Sequence, residues 1–559
     1  MSEITWLQRP IPDGIGSLAG VHPVLSRVFA ARGILSSNDL TLGLNQLHSP
    51  QQLPGLNDAL VLLEQAIIQQ WRIIIIGDFD ADGATSTALA VAALRQFGAS
   101  HIDYLVPNRF EFGYGLTPGI VALAAQKKPH LIITVDNGIS SLDGVAAANA
   151  AGMEVLITDH HLPGEFLPDA AVIVNPNQRG CHFPSKALAG VGVMFYLLLA
   201  LRTRLRDQGW FASRNLEVPH LGAFLDLVAL GTVADVVPLD HNNRILVAGG
   251  LARMRSGRAR PGINALLSVA GRDPLTVVAS DLGFAAGPRL NAAGRLDDMS
   301  LGIECLLCED PQQARNLALQ LDSMNRERQR IERGMEEEAL AVLARLDLTQ
   351  KELPPALVLH DPGWHQGVVG ILASRIKDRF HRPVIAFARS DSGELKGSGR
   401  GIPGMHLRDL LDYVATRHPG LIDKFGGHAM AAGLSLPEAH YDRFSEAFTD
   451  AVQQVGGLTL EPILESDGEL ALEDFDLAVA EMLRSAGPWG QLFPEPLFDG
   501  VFELRSQRIV GEKHLKMSVA TPGDGASLEA IAFGVDTDRW PDPAVMQVGQ
   551  ARGLPPVST

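Results

Sequence analysis

Three aspartates alternate within five residues in Gly77-Asp78-Phe79-Asp80-Ala81-Asp82-Gly83. Carboxylates packed this closely repel one another unless cations neutralise them. Capping the following helix would need one Asp, not three, and a calcium loop would need a longer ligand run closing on Glu. Further carboxylates end other apolar runs: Thr134-Val135-Asp136-Asn137-Gly138, then Thr158-Asp159-His160-His161, then Leu227 to Asp235. Carboxylates with one or two His and no Cys suit Mn²⁺ or Mg²⁺ better than a structural zinc. Five or more such ligands exceed the needs of one ion that must also keep water. Two ions about 3.5–4 Å apart fit better; such a pair activates a water and clamps a phosphoryl group for in-line attack.

The elements that must position these groups follow from apolar patterning. An amphipathic pattern over 53–70 predicts a helix, and Ile73-Ile74-Ile75-Ile76 predicts a strand buried on both faces. A second helix is expected over 84–97, stopped by Gly98. Short apolar runs at 131–135, 155–158 and 171–174 are read as further strands, with Ala-rich helical segments between the first two. Alternation of strand and helix predicts a parallel sheet, whose ligands sit beyond the carboxyl ends of the strands. Asp136, on the strand expected between the other two contributors, is the candidate bridge between two ions.

The chain has 559 residues, enough for three or four domains at about 100–200 residues each. Composition excludes general disorder, and three Cys (Cys181, Cys305, Cys308) exclude a disulfide framework, pointing to a reducing, cytoplasmic location. The N-terminus shows no targeting pattern. The apolar stretch 187–201 is shorter than the roughly 20 residues of a membrane span and reads as a buried helix. No Walker A sequence is present, so ATP use is not expected. The formal net charge of −17 argues against a polyanion binder, but residues 436–559 hold 21 acidic and 8 basic side chains and so carry most of it. Cys305 and Cys308 read as helical core thiols, and Trp364 and Phe425 as core aromatics.

In combination, Asp159-His160-His161, Gly77–Gly83, Val135–Ile139, Gly231–Leu239, Gly287–Leu296, Gly363–Gly370, Gly397–Arg400 and Phe425–Gly433 resemble the RecJ-type single-strand DNA exonucleases of the DHH phosphoesterase superfamily. The resemblance spans about residues 20–535. It implies an α/β architecture: an N-terminal extension (1–50) packed on a parallel-sheet DHH catalytic domain (51–308), a polar linker helix (309–350), a second α/β, DHH-associated domain (351–455), and a β-rich OB-like domain (456–559). The Leu492–Pro496 stretch and the Pro-rich ending depart from the family pattern and leave completion of that barrel open.

The activity implied is hydrolysis of single-stranded DNA from its 5′ end to nucleoside 5′-monophosphates, with two Mn²⁺ or Mg²⁺ ions. By motif position Asp80, Asp82, Asp136, His160 and Asp235 would be metal ligands, with Asp78 a ligand or a neighbour of one. His161 would contact the scissile phosphate and Asp159 would orient the imidazoles. Arg109, Arg289, Asn291, Arg295, Ser398, Arg400 and His428 would hold phosphates. Implied partners are single-stranded DNA with a free 5′ end, a helicase and a single-strand binding protein. A phosphodiesterase for short oligonucleotides or cyclic dinucleotides, and a non-catalytic replication scaffold, are the alternatives; the intact carboxylate set counts against the scaffold.

Overall fold

The strand predicted from four successive isoleucines forms as expected, with Ile73–Ile76 at 0–2 % exposure. It lies in a computed structural model that describes residues 5–12, 18–106, 115–345, 353–390, 393–427, 429–455, 460–521, 527–535, 537, 540–541 and 551–552. The chain divides into two compact units. Residues 44–237 and 245–462 make up the first, and residues 5–43, 238–244 and 463–559 the second.

Strand β1 (Thr5–Gln8) belongs to the second unit. In the first unit, β2 (Ile73–Ile76), β3 (Ile102–Leu105), β4 (Leu131–Val135), β5 (Glu154–Thr158) and β6 (Val172–Val174) form an all-parallel sheet in the order β3-β2-β4-β5-β6. Helices follow β2, β3 and β4 (Ala81–Gln96, Pro118–Gln126 and Leu142–Ala150), as parallel crossovers require. β4 therefore lies between β2 and β5, the order that the bridging reading of Asp136 needs. The edge strand β3 was not anticipated: Ile-Asp-Tyr-Leu is short and buries only Ile102. Residues 190–201 of the apolar run lie in the helix Gly190–Asp207, buried through most of its length. The run ending at Asp235 is also a helix, Leu225–Ala234.

The long polar segment forms one helix, Pro311–Arg345. Its charge pattern predicts a solvated face, yet Ala314, Ala318 and Leu321 are fully buried at helical spacing. That stripe packs on the helices Pro261–Val269, Gly287–Leu296 and Ser300–Leu307. Further along, Met335 and Ala339 join a core with Trp364, Val368 and Leu372. A second sheet follows: β7 (Leu357–His360), β8 (Val384–Arg389), β9 (Glu394–Arg400), β10 (Lys424–Gly427) and β11 (Ala431–Pro437), ordered β10-β11-β9-β8-β7. Only the β7–β8 pair is parallel.

The N-terminal extension is divided between the two units, residues 44–50 grouping with the first. β1 pairs in parallel with β12 (Ile463–Ser466), and residues 5–43 group with 463–559. The physical cause is a buried ion pair: Arg32 donates from Nη1 and Nη2 to the two oxygens of Asp467 at 2.7 and 2.9 Å. Phe29 adds aromatic contacts to Trp489 and Phe493. The C-terminal strands β13 (Val501–Val510), β14 (His514–Ala520), β15 (Ser527–Ala532) and β16 (Ala551–Arg552) form an antiparallel sheet in the order β15-β14-β13-β16. The two-residue β16 pairs with Val501 and Phe502. Among the described residues no helix is long and apolar enough to cross a membrane.

Candidate metal centre

The parallel sheet brings its carboxyl ends to one edge, and the first Asp cluster falls there because β2 stops at Ile76. Asp80 is the N-cap of the helix Ala81–Gln96, its Oδ1 accepting the Gly83 N–H at 3.0 Å. Capping thus accounts for one of the three aspartates. Asp82 points elsewhere: its oxygens accept the Gly190 and Val191 N–H groups at 2.6 and 2.9 Å, at the start of the helix Gly190–Asp207. A helix N-terminus is a favourable place for a carboxylate.

Asp136 follows β4 directly and is 2 % exposed. Its φ is +62°, a left-handed conformation uncommon outside glycine. Gly190 is required beside it, since a Cβ there would lie 2.6 Å from the Asp136 Cβ. Beyond the Leu225–Ala234 helix, Asp235 is followed by Val236 at φ +61°. For a β-branched residue that conformation is strained, as is common where a site over-determines its backbone.

Three groups of potential ligands result. One ligand atom from each member lies within 4.8 Å of the others in Asp136–His160–His161, in Asp82–His160–Asp235, and in Asp78–Asp80–Asp136. Asp136 and His160 are each shared by two groups. Nε2 of His160 is 3.0 Å from Asp136 Oδ1 and 3.5 Å from Asp235 Oδ2. Charge crowding is severe. Burial, reinforced by Asp80, pushes Asp82 up to about 7 against the opposing effect of the Val191 and Gly190 amides. Burial and the charges of Asp82, Asp80, Asp235 and Asp78 hold Asp136 well above the usual carboxylate range. Burial, then Asp82, Asp80 and Asp78, does the same to Asp235. An all-oxygen and imidazole set with this uncompensated negative charge fits hard or borderline divalent cations.

Asp159 plays a different part. Its Oδ1 accepts the His160 and His161 N–H groups at 2.7 and 3.0 Å and meets His161 Nδ1 at 2.7 Å. Oδ2 accepts the Ile139 N–H at 2.9 Å. Burial alone would raise this carboxyl, but the contact and charge of His161, the charge of His160 and the Ile139 amide hold it below the usual range. His161 is correspondingly pushed up to about 9: burial lowers it, and the Asp159 contact outweighs that.

Two side chains at the end of β6 were missed. Asn175 donates to the His161 carbonyl at 2.9 Å and Asn177 donates to the His160 carbonyl at 2.5 Å. They clamp the Asp-His-His turn from the next strand. The available signal was their position just past a predicted strand, Val174-Asn175-Pro176-Asn177. Asn137 likewise donates to the carbonyls of Ile76 and Val135, tying the ends of β2 and β4 together.

The expected phosphate holders divide. Arg109 and His428 lie outside the described residues. Arg400 donates from Nε to Ser374 Oγ and from Nη1 to Ser398 Oγ, both at 3.1 Å, and from Nη1 to the Gly399 carbonyl at 2.7 Å. Arg295 donates to the Gly367 carbonyl at 3.1 Å, linking the helix Gly287–Leu296 to the turn before Val369–Phe380. Arg289 bonds Asp322 at 2.8–2.9 Å and the Ala285 carbonyl at 2.7 Å. Asn291 Oδ1 accepts the Ala81 N–H at 2.7 Å, bracing the aspartate turn. Cys305 and Trp364 are core residues, and Phe425 packs partly buried against the second sheet's core.

Fold and site together define a DHH-type protein. Residues 72–232 match the N-terminal domain of the DHH family, 353–454 the DHHA1 domain and 466–549 the RecJ OB domain. The chain is 57 % identical to the single-stranded-DNA-specific exonuclease RecJ of Dickeya dadantii, over 99 % of this chain and 96 % of the relative. It is similar to the crystal structure of RecJ in complex with Mn²⁺ from Thermus thermophilus, with TM-score 0.76 and 30 % identity, covering 95 % of this chain and 76 % of that one. The corresponding Mg²⁺ complex gives TM-score 0.71 and 28 % identity, covering 95 % and 75 %. The chain belongs to the RecJ family.

Proposed function

We propose that this chain hydrolyses single-stranded DNA from its 5′ end, releasing nucleoside 5′-monophosphates, with Mn²⁺ or Mg²⁺ at the strand-end carboxylates. The observation that carries this reading is the overlap of ligand groups, with Asp136 common to the group of Asp78 and Asp80 and to the group of His160 and His161. Asp78, Asp80 and Asp136 would hold one ion, and Asp82, His160 and Asp235 a second. A bound divalent pair supplies a water of lowered pKa and counter-charge for phosphoryl oxygens. The chain's own groups position and donate. Asp159 fixes the His161 ring through Nδ1, which leaves Nε2 to donate to a phosphate oxygen. Gly190 and Val191 pin Asp82 so that its orientation does not depend on the ions. Ser374, Ser398 and Arg400 hold the 5′ phosphate, since two hydroxyls and a guanidinium already face one another there.

The similar RecJ proteins are single-stranded-DNA-specific exonucleases by name, and RecJ structures were solved with Mn²⁺ and with Mg²⁺. The enzyme acts in the cytoplasm, in repair and recombination, beside a helicase that exposes single strands and a single-strand binding protein that covers them. The test is Asp136→Ala: nuclease activity on a long single strand is lost while binding of that strand persists. Wild-type turnover by this variant would overturn the reading. Equal hydrolysis of a dinucleotide and a long strand by the wild type would favour a short-oligonucleotide phosphodiesterase instead.

A further inference from the structure

Phe284 is 85 % exposed, the highest value among the large apolar side chains of the described residues. Its neighbours are not: Leu282, Ala285 and Ala286 are 0–5 % exposed. The segment Leu282–Ala286 is a π-turn, closed by the Gly287 N–H bonding to the Leu282 carbonyl. The cause is Pro288, which has no N–H to offer the Phe284 carbonyl four residues earlier and whose ring crowds it. Arg289 stabilises the turn by donating to the Ala285 carbonyl and fastening itself to Asp322. The turn is thus braced by Arg289 and its neighbours are buried, while Phe284 is exposed. Single-turn π insertions of this kind are frequent at functional sites.

Its location gives the exposure a use. The flanking glycines pack on the last turn of the helix that delivers Asp235. A Cβ on Gly283 would lie 3.3 Å from Val233 Cγ1, and one on Gly287 3.1 Å from Ala234 Cβ. Val236, next to Asp235, is itself 61 % exposed. An exposed phenyl ring is therefore carried on a buried turn that packs against the end of the helix delivering Asp235. A single DNA strand presents a flat π-face on every nucleotide, and aromatic stacking reads that face without regard to sequence.

We infer that Phe284 is a base-stacking platform that positions the single strand as it enters the site, a reading that rests on the proposed exonuclease activity. The ring contributes to strand binding rather than to bond cleavage. Stacking on an aromatic side chain is worth about 1–3 kcal/mol per base, which is about 5- to 150-fold in affinity. The experiment uses the full chain with Mn²⁺ and a 5′-labelled oligonucleotide, comparing wild type, Phe284→Ala, Phe284→Leu and Phe284→Trp. Alanine and leucine are expected to raise KM by about 5- to 150-fold, with tryptophan close to wild type, because only the π-face matters. Single abasic residues are then moved along the oligonucleotide. One position is expected to raise the wild-type KM, and that penalty should vanish in Phe284→Ala. An unchanged KM in Phe284→Ala, a leucine variant that behaves as wild type, or an abasic penalty that persists in Phe284→Ala would each overturn the inference. So would loss of kcat with unchanged KM. A wild-type protein that leaves the single strand intact would instead overturn the exonuclease reading.

Discussion

Replacing Asp159 by Asn removes one negative charge and turns one acceptor into a donor. The carboxylate accepts three backbone N–H groups and meets one imidazole, with Oδ1 serving His160, His161 and the His161 ring, and Oδ2 serving Ile139. The Asn oxygen keeps the crowded corner, so its NH₂ faces the Ile139 N–H. One bond is lost and two donors oppose each other in a buried place, a cost of about 1–3 kcal/mol. The ring of His161 also loses its anionic partner. In the metal-free protein its pKa should fall from about 9 toward the ordinary 6.5, read by NMR titration of the imidazole. The sign of the stability change follows. His161 is raised in the folded state, so its contribution is complete below 6.5 and disappears as pH rises through about 9. Asp159 is lowered, so its contribution is present above 3.8 and lost as pH falls through its depressed folded value. Urea unfolding of Asp159→Asn should show both dependences flattened. Turnover should drop about 10- to 100-fold, the usual consequence of losing the group that orients a site histidine. A variant with wild-type titration of His161 and wild-type turnover would refute the orienting role.

Other outcomes follow from the same geometry. Mn²⁺ binding near pH 7 should release protons, because Asp82 sits at about 7 and Asp136 and Asp235 lie well above their ordinary range; calorimetry in two buffers of different ionisation enthalpy measures the release, and affinity should weaken as pH falls. For the same reason the stabilising effect of a protonated Asp82 in the metal-free protein is full below 3.8 and lost as pH rises through about 7. Gly190→Ala sets a methyl 2.6 Å from the Asp136 Cβ, and relieving that to ordinary contact moves the carboxylate about 1 Å, enough to cost about 10²-fold in kcat. Arg289→Ala should destabilise the protein by about 3 kcal/mol, and combining it with Asp322→Asn should cost much less than the sum, as denaturant titration of the three variants will show.

Much of the site was readable in the chain because its chemistry is local. Each carboxylate follows an apolar run, and the end-of-strand rule sends them to one edge; the order β2-β4-β5 then places Asp136 centrally. Asp235 was harder, since Leu227–Ala234 is apolar on all sides and a buried helix is indistinguishable by pattern from a buried strand. The left-handed backbone of Asp136 goes with its close approach to Gly190, a non-local contact that no local pattern records. Arg289 shared a motif with the expected phosphate holders, but its role depends on Asp322, thirty-three residues away on a helix whose buried stripe is masked by charge. The pairing of Thr5–Gln8 with Ile463–Ser466 spans nearly the whole chain and is written in neither segment alone. Non-local pairings of this kind depend on partners such as Arg32 and Asp467, and local periodicity carries no information about them.

The central claim is tested most directly by digesting one single strand labelled at either its 5′ or its 3′ end, with Mn²⁺ and with chelator. The expected result with Mn²⁺ is immediate release of the 5′ label as a mononucleotide, with the 3′ label retained on a steadily shortening strand and no reaction under chelator. First release from the 3′ end, or digestion that persists with the metal removed, would contradict the account.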